Sequence, residues 1–152
     1  MTEFEIRNPD YRRTVQESFD RQGLMKTLGA ELAEVGPGRA VIVADYHDGL
    51  GQQHGFFHGG VIGAIADSAG GYSAFSLMPP NSNVLTVEYK MNIVAPGRGE
   101  RLIARGHVIR PGRTLTVTRA DVFAVDGGAE TLCATMLQTL MRLEPAAHRP
   151  AG

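Results

Sequence analysis

Asp67 is the residue whose setting most suggests chemistry, because it is a lone acid in an apolar, glycine-rich stretch. It lies in the segment QQHGFFHGGVIGAIADSAGG, residues 52–71. Burying a carboxylate costs free energy unless it finds partners, and each glycine inside a helix costs about 0.5–1 kcal/mol relative to alanine. The combination indicates a helix face that another group must approach closely, with Asp67 placed there as a candidate general base.

The start of this helix is a second candidate site. The first turn of a helix presents unpaired N–H groups and a partial positive charge, and Gly59 and Gly60 have no side chains to block them. Such N–H groups can stabilise a developing oxyanion. They could also bind phosphate, but the GxxxxGK[ST] motif that would support that interpretation is absent.

The periodicity predicts a helix over about residues 58–76. One stripe carries the core residues Ile62, Ile65, Ala69 and Tyr72. The opposite stripe carries small residues around the acid, namely Gly60, Gly63, Ala64, Asp67, Gly71 and Ala74. The alternative is that Gly70 and Gly71 end the helix, which would make Asp67 a solvated acid of the last turn.

The other elements predict an α+β fold. An amphipathic helix stops near Gly23, and one strand, RAVIVADYH, precedes the central helix. In NVLTVEYKMNIV, residues 83–94, apolar and polar residues alternate, as is typical of a half-buried strand. Three further strands follow in what reads as an antiparallel meander, so we expect about five strands covered by one long helix.

Composition narrows the range of functions. The 152 residues carry a formal net charge of -1 and one cysteine, Cys133. This favours one domain over residues 1–152, with its core at about 28–143 and a flexible tail at 145–152. The charge argues against nucleic acid or an anionic membrane as partner. The lone cysteine, an N-terminus without an apolar run and the lack of a membrane-length apolar stretch favour the cytoplasm.

The motif HGFFHGG followed by VIGAIADSAGG resembles the hotdog-fold acyl-CoA thioesterases, in their PaaI-like (phenylacetate-type) branch. The resemblance rests on a helix-opening His-Gly-Gly with an acid nine residues after the histidine, here His58 and Asp67. It extends over about residues 28–143 and includes the downstream strands. It implies hydrolysis of an acyl-CoA thioester without a metal or redox cofactor.

The resemblance also implies roles for individual residues. Asp67 would activate water or attack the thioester, and the Gly59 N–H would bind the thioester oxygen. Gln52 stands where the family usually has Asn and would position the water or carbonyl, and Thr86 would assist from a strand. His58 and Gly60 are candidate substrate-binding residues of the same loop, although His58 is interpreted first as a structural residue that fixes the loop by hydrogen bonds. Related enzymes build two sites across a subunit interface, so a dimer or dimer of dimers is expected.

Six arginines crowd residues 98–119 with one acid, Glu100. They could dock the phosphates of coenzyme A, for which Arg110 and Arg113 are the candidates, or they could be exposed charges that protect a sheet edge. The acyl group is not fixed by the sequence, although an aromatic or medium-chain group is preferred.

Other chemistries find less support. His47, His54 and His58 lack a cysteine or acid to complete a metal site. A hotdog dehydratase would need a histidine facing the acid, but positions nine residues apart lie about 180° apart on a helix. A non-catalytic acyl-CoA binder with the same pocket stays open as an alternative.

Overall fold

The computed structural model describes residues 4–145. The predicted tail therefore lies, apart from its first residue, outside the described residues. The helices are α1 (Tyr11–Asp20), α2 (Gly23–Leu28) and α3 (Gly59–Phe75). The strands are β1 (Ala30–Gly36), β2 (Arg39–Asp45), β3 (Asn83–Ile93), β4 (Arg101–Arg110), β5 (Leu115–Asp126) and β6 (Ala129–Leu143).

The architecture is the expected antiparallel sheet with a central helix. All of its strand pairs are antiparallel, and the strand order is β1-β2-β4-β5-β6-β3. The α3 helix packs against the sheet, mainly across β4, β2 and β5. These features are those of the hotdog fold.

The structure corrects three details of the sequence interpretation. Residues 4–145 contain six strands, because AELAEVG, residues 30–36, forms a strand with exposed acids that the sequence pattern does not predict. Only β4, β5 and β6 form a meander, since β3 pairs with β6 and β4 pairs with β2. The N-terminal helix is followed by a second short helix, α2, rather than ending the helical region.

The core stripe of α3 lies where its spacing predicts. Ile62, Ile65, Ala69 and Tyr72 are all buried. Burying a large apolar side chain contributes about 1.5–3 kcal/mol, so these contacts hold α3 on the sheet. The helix backbone comes very close to β4 at Gly106, where a Cβ atom would lie 2.2 Å from the Ala69 carbonyl oxygen.

The β3 strand lies at an edge of the sheet and is far more exposed than the half-buried strand that its alternation predicts. Leu85 and Val87 are each 54 % exposed, and Tyr89 is 52 % exposed. The strand pairs with β6 on one side, and within residues 4–145 no strand covers its other side. A long apolar edge strand is a surface on which another chain can pair.

Candidate active site

The start of α3 is organised by His58. Its ring Nδ1 accepts a hydrogen bond from the Gly60 N–H at 2.8 Å, which makes His58 the N-cap of the helix. The backbone N–H of His58 in turn donates to the Leu50 carbonyl at 2.9 Å. His58 therefore fixes the loop. The backbone N–H groups of His58 and Gly60 both have acceptors, so neither is free to bind an oxyanion.

The Gly59 N–H is the free donor of this turn. Among residues 4–145 no acceptor takes it, and Gly59 lines a cavity of about 530 Å³. Gln52 lines the same cavity. Its Oε1 accepts the His54 backbone N–H, so the side chain is held in the loop, while its Nε2 makes no hydrogen bond within the described residues. At this end of α3, the Gly59 N–H and the Gln52 Nε2 are therefore two donors, unengaged within the described part of the chain, of residues that line the same cavity.

Asp67 lies further along the helix and faces β3 and β6. Thr86 Oγ1 donates to Asp67 Oδ1 at 2.7 Å, and Gln138 Nε2 donates to the same oxygen. Asp67 and Thr86 line a different cavity, of about 280 Å³. The structure therefore brings Asp67 and Thr86 together, as the resemblance implied, and α3 continues past Gly70 and Gly71, which excludes the last-turn alternative.

The two halves of the implied site are separated within one chain. Gly59 and Asp67 are eight residues apart on α3, which is about 12 Å at 1.5 Å per residue. An oxyanion donor must lie about 2.7–3.1 Å from the reacting oxygen, and a base must lie within hydrogen-bond reach of its proton. One thioester cannot meet both requirements in a single subunit.

The cavity beside Asp67 has a polar wall where the N-terminal region packs on α3. Gln22 Nε2 donates to the Tyr72 hydroxyl at 2.8 Å, and the hydroxyls of Ser18 and Tyr72 lie 3.3 Å apart. Ser68 donates to Gln22 Oε1 at 3.3 Å. Burial raises the pKa of the Tyr72 phenol, so it stays protonated near neutral pH. Apolar lining comes from side chains that include Met25, Val84 and Leu140.

Ion pairs account for most of the arginines between residues 98 and 119. Arg98, Arg101, Arg105 and Arg119 pair with Asp126, Asp45, Glu130 and Asp121 respectively. Neither Arg110 nor Arg113 pairs with an acid of the described residues. Arg113 lines a pocket with Thr114, Arg142 and Glu144, which is separate from the Asp67 cavity.

The single cysteine, Cys133, lines neither of these cavities. Burial raises the pKa of the Cys133 thiol to about 11, so it is not a thiolate nucleophile near neutral pH. Within residues 4–145, no three His, Cys, Asp or Glu side chains form a metal-binding group. No helix in this range is long and apolar enough to cross a membrane.

Gln138 is the site residue that sequence reasoning missed. Its signal was present, because in β6 it has the same parity as Ala134, Met136 and Leu140, all of which are buried. A lone amide on the apolar face of a strand indicates a buried polar contact.

Comparison with known proteins now assigns the family. The model of the Thioesterase superfamily matches residues 54–131, a range that includes both cavity-lining segments of α3. The chain belongs to this superfamily. A thioesterase family protein from Silicibacter pomeroyi has a solved structure that is 47 % identical, with a TM-score of 0.88, over 89 % of this chain and 99 % of that one.

Two further proteins are similar to this chain, one in sequence and one in structure. The 1,4-dihydroxy-2-naphthoyl-CoA hydrolase of Listeria monocytogenes is 28 % identical over 73 % of this chain and 89 % of its own length. The E. coli PaaI protein of the phenylacetic acid degradation operon shares the fold, with a TM-score of 0.79 at 18 % identity over 90 % of this chain and 96 % of that one. The chain is thus a hotdog thioesterase, an enzyme that hydrolyses thioesters.

Proposed function

We propose that this thioesterase hydrolyses an acyl-CoA thioester to the free acid and coenzyme A, with the Asp67 carboxylate as its reacting group. The observation that carries the proposal is the setting of Asp67. Its Oδ1 is held by two donors, and the residue opens onto a cavity large enough for an acyl group. The naphthoyl-CoA hydrolase among the relatives supports the same class of substrate.

The chemistry needs no group beyond these residues and water. As a base, Asp67 takes a proton from water while the water oxygen attacks the thioester carbon, and the Gly59 N–H binds the resulting oxyanion. Collapse breaks the carbon–sulfur bond, and the departing thiolate takes up the proton that Asp67 had removed from water, which regenerates the carboxylate. As a nucleophile, Asp67 would instead form a mixed anhydride that water then hydrolyses.

We propose that each site is completed by a second copy of the chain. Gly59 and Asp67 of one chain are about 12 Å apart. They can act on one thioester if Gly59 and Gln52 of one subunit lie beside Asp67 and Thr86 of its partner. The uncovered apolar edge of β3 supplies a surface for that pairing. Ile93 at the end of β3 lies against Gly59, so an interface along this strand reaches the start of α3.

The remaining assignments concern the two ends of the substrate. Arg110 and Arg113 are proposed to contact the coenzyme A phosphates, since neither is neutralised by an acid among residues 4–145. For the acyl end we propose an aromatic or medium-chain group, because the Asp67 cavity combines apolar lining with a polar wall at Tyr72 and Gln22. We propose that the single domain of residues 1–152 works in the cytoplasm.

The test is release of free thiol from a panel of acyl-CoA thioesters, followed with a thiol-reactive dye. Aromatic and medium-chain thioesters should be turned over, and the matching acyl-pantetheines should show a raised KM if the phosphates are bound. Binding of acyl-CoA without thiol release would favour the non-catalytic binder. Hydration of an enoyl-CoA would favour the dehydratase, which is disfavoured because His58 and Asp67 are nine residues apart and so lie about 180° apart around α3.

A further inference from the structure

Gln138 is a buried amide on the inner face of β6 that the proposed reaction leaves without a role. Its side chain is 1 % exposed, and its neighbours on the same face, Met136 and Leu140, are equally buried. An amide in such surroundings costs free energy unless both of its ends are hydrogen-bonded. The structure satisfies both ends.

The nitrogen end faces the acid. Gln138 Nε2 lies within hydrogen-bond distance of Asp67 Oδ1, at 3.2 Å from the Asp67 carbonyl oxygen and at 3.3 Å from Thr86 Oγ1. The oxygen end accepts the Thr118 hydroxyl at 3.2 Å. The carboxylate and carbonyl oxygens of Asp67 only accept hydrogen bonds, so they select the orientation in which the amide presents its N–H groups to them. The Thr118 hydroxyl then donates to Oε1 and holds the amide in that orientation.

Gly70 makes room for this arrangement. A Cβ atom at position 70 would lie 2.0 Å from Gln138 Oε1 and 2.9 Å from Thr118 Oγ1. Even alanine would therefore displace the amide or the hydroxyl. The helical glycine three residues after Asp67 is explained by the close approach of a side chain from the sheet.

The consequence concerns the two oxygens of Asp67. Oδ1 receives donors from Thr86 and Gln138, whereas no group of residues 4–145 donates to Oδ2. We propose that Gln138, oriented by Thr118 and admitted by Gly70, is a positioning residue that anchors Oδ1 and leaves Oδ2 as the reactive oxygen. This proposal rests on the proposed function of Asp67.

Two substitutions at Thr118 separate positioning from packing. Thr118→Val keeps the shape of the side chain and removes the donor. We expect kcat to fall roughly 10- to 100-fold, as is typical when a residue that orients a functional group is lost, and KM to stay within about twofold of wild type. Thr118→Ser keeps the donor and loses a methyl group, so kcat should stay within about threefold of wild type. Both variants should lower the thermal midpoint, Val because Gln138 Oε1 loses its donor and Ser because a buried methyl group is removed.

Thr116→Val is the matched control, because Thr116 is also buried on β5, two residues earlier on the same face, and has no side-chain hydrogen bond to Gln138. It should leave kcat unchanged. Gln138→Met should repeat the loss of kcat seen with Thr118→Val. If the Thr118→Ser variant is as inactive as Thr118→Val, or less active, the positioning role is wrong.

A readout without substrate distinguishes failure of this proposal from failure of the proposed function. The side-chain amide signals of Gln138 can be assigned in an NMR spectrum by their loss in Gln138→Met. They should move in Asp67→Asn and in Thr118→Val and stay in place in Thr116→Val. Signals that do not move in Asp67→Asn would overturn the proposal, even in a protein that hydrolyses thioesters. A wild-type protein that releases no thiol would instead overturn the proposed function, while the NMR result still decides the contact.

Discussion

At the scale of the residue, the two oxygens of one carboxylate have different environments. Asp67 Oδ1 is held by hydroxyl and amide donors, while the residue opens onto a cavity. Charge-assisted hydrogen bonds of this kind fix the geometry of a carboxylate as well as stabilising its charge. A short helix segment with one acid can therefore serve a reaction, provided that side chains from the sheet come close enough to hold it.

Gln52 provides the first prediction at this scale. Gln52→Ala should lower kcat more than it raises KM, because the proposed partner of Gln52 is the attacking water or the reacting carbonyl. Gln52→Asn, the residue usual in the resembling family, should retain activity. Steady-state kinetics on one acyl-CoA decide the matter, and an Ala variant with unchanged kcat and raised KM would transfer Gln52 from chemistry to binding.

The sequence indicates candidate residues, whereas their arrangement comes from the fold. Asp67, Thr86, Gln52 and Gly59 each line one of the two cavities, and their catalytic roles stay predictions. Their division between two cavities depends on the length of α3, and the contact of Gln138 with Asp67 joins residues 71 positions apart. Short-range patterns do not specify contacts of that separation.

At the scale of the element, α3 depends on its N-cap. His58→Ala removes the acceptor of the Gly60 N–H and should destabilise the protein by about 1 kcal/mol, as loss of a side-chain cap usually does. His58→Asn supplies an alternative cap and should recover most of that stability. Chemical denaturation measures both variants.

Kinetics on the same two variants separate capping from substrate binding. A KM raised equally in the Ala and Asn variants, with stability unchanged, would assign His58 to the substrate and not to the helix. The structure predicts instead that stability falls in the Ala variant and recovers in the Asn variant, with little change in KM, because His58 Nδ1 caps the helix.

The strand pattern was predictable where neighbours in sequence pair and misleading where they do not. The meander of β4, β5 and β6 follows from short turns, which favour antiparallel neighbours. The pairing of β3 with β6 joins two strands that are far apart in the sequence, so no short-range pattern predicts it. The β1 strand was missed because Glu31 and Glu34 give it a polar pattern, which is tolerated since β1 lies at the other edge of the sheet.

The exposed edge of β3 leads to a prediction about assembly. Val87→Lys should place a charge in the proposed interface and shift the protein from dimer towards monomer, with activity lost in the same proportion. Ile109→Lys is the control, because Ile109 is 51 % exposed but lies on the inner strand β4. Sedimentation velocity at micromolar concentration gives the oligomeric state of both variants, and thiol release gives their activity. A fully active monomer would contradict the interface.

At the scale of the whole molecule, complementation tests whether one site draws on two chains. An Asp67→Asn chain and a Gln52→Ala chain are each expected to be impaired alone. Mixed dimers should regain one working site, which unites Gln52 of the first chain with Asp67 of the second. Activity that stays at the level of the separate variants after subunit exchange would place both residues in a site made by one chain.

The central claim is that the Asp67 carboxylate carries out thioester hydrolysis, and one measurement tests it most directly. The rate of thiol release at saturating acyl-CoA is compared for wild type and Asp67→Asn, after both are shown to have the same unfolding midpoint and oligomeric state. Asparagine keeps the size and shape of the side chain and removes its charge. We expect kcat to fall at least about 100-fold, within the usual contribution of a general base. An Asn variant that turns over at nearly the wild-type rate would contradict the account.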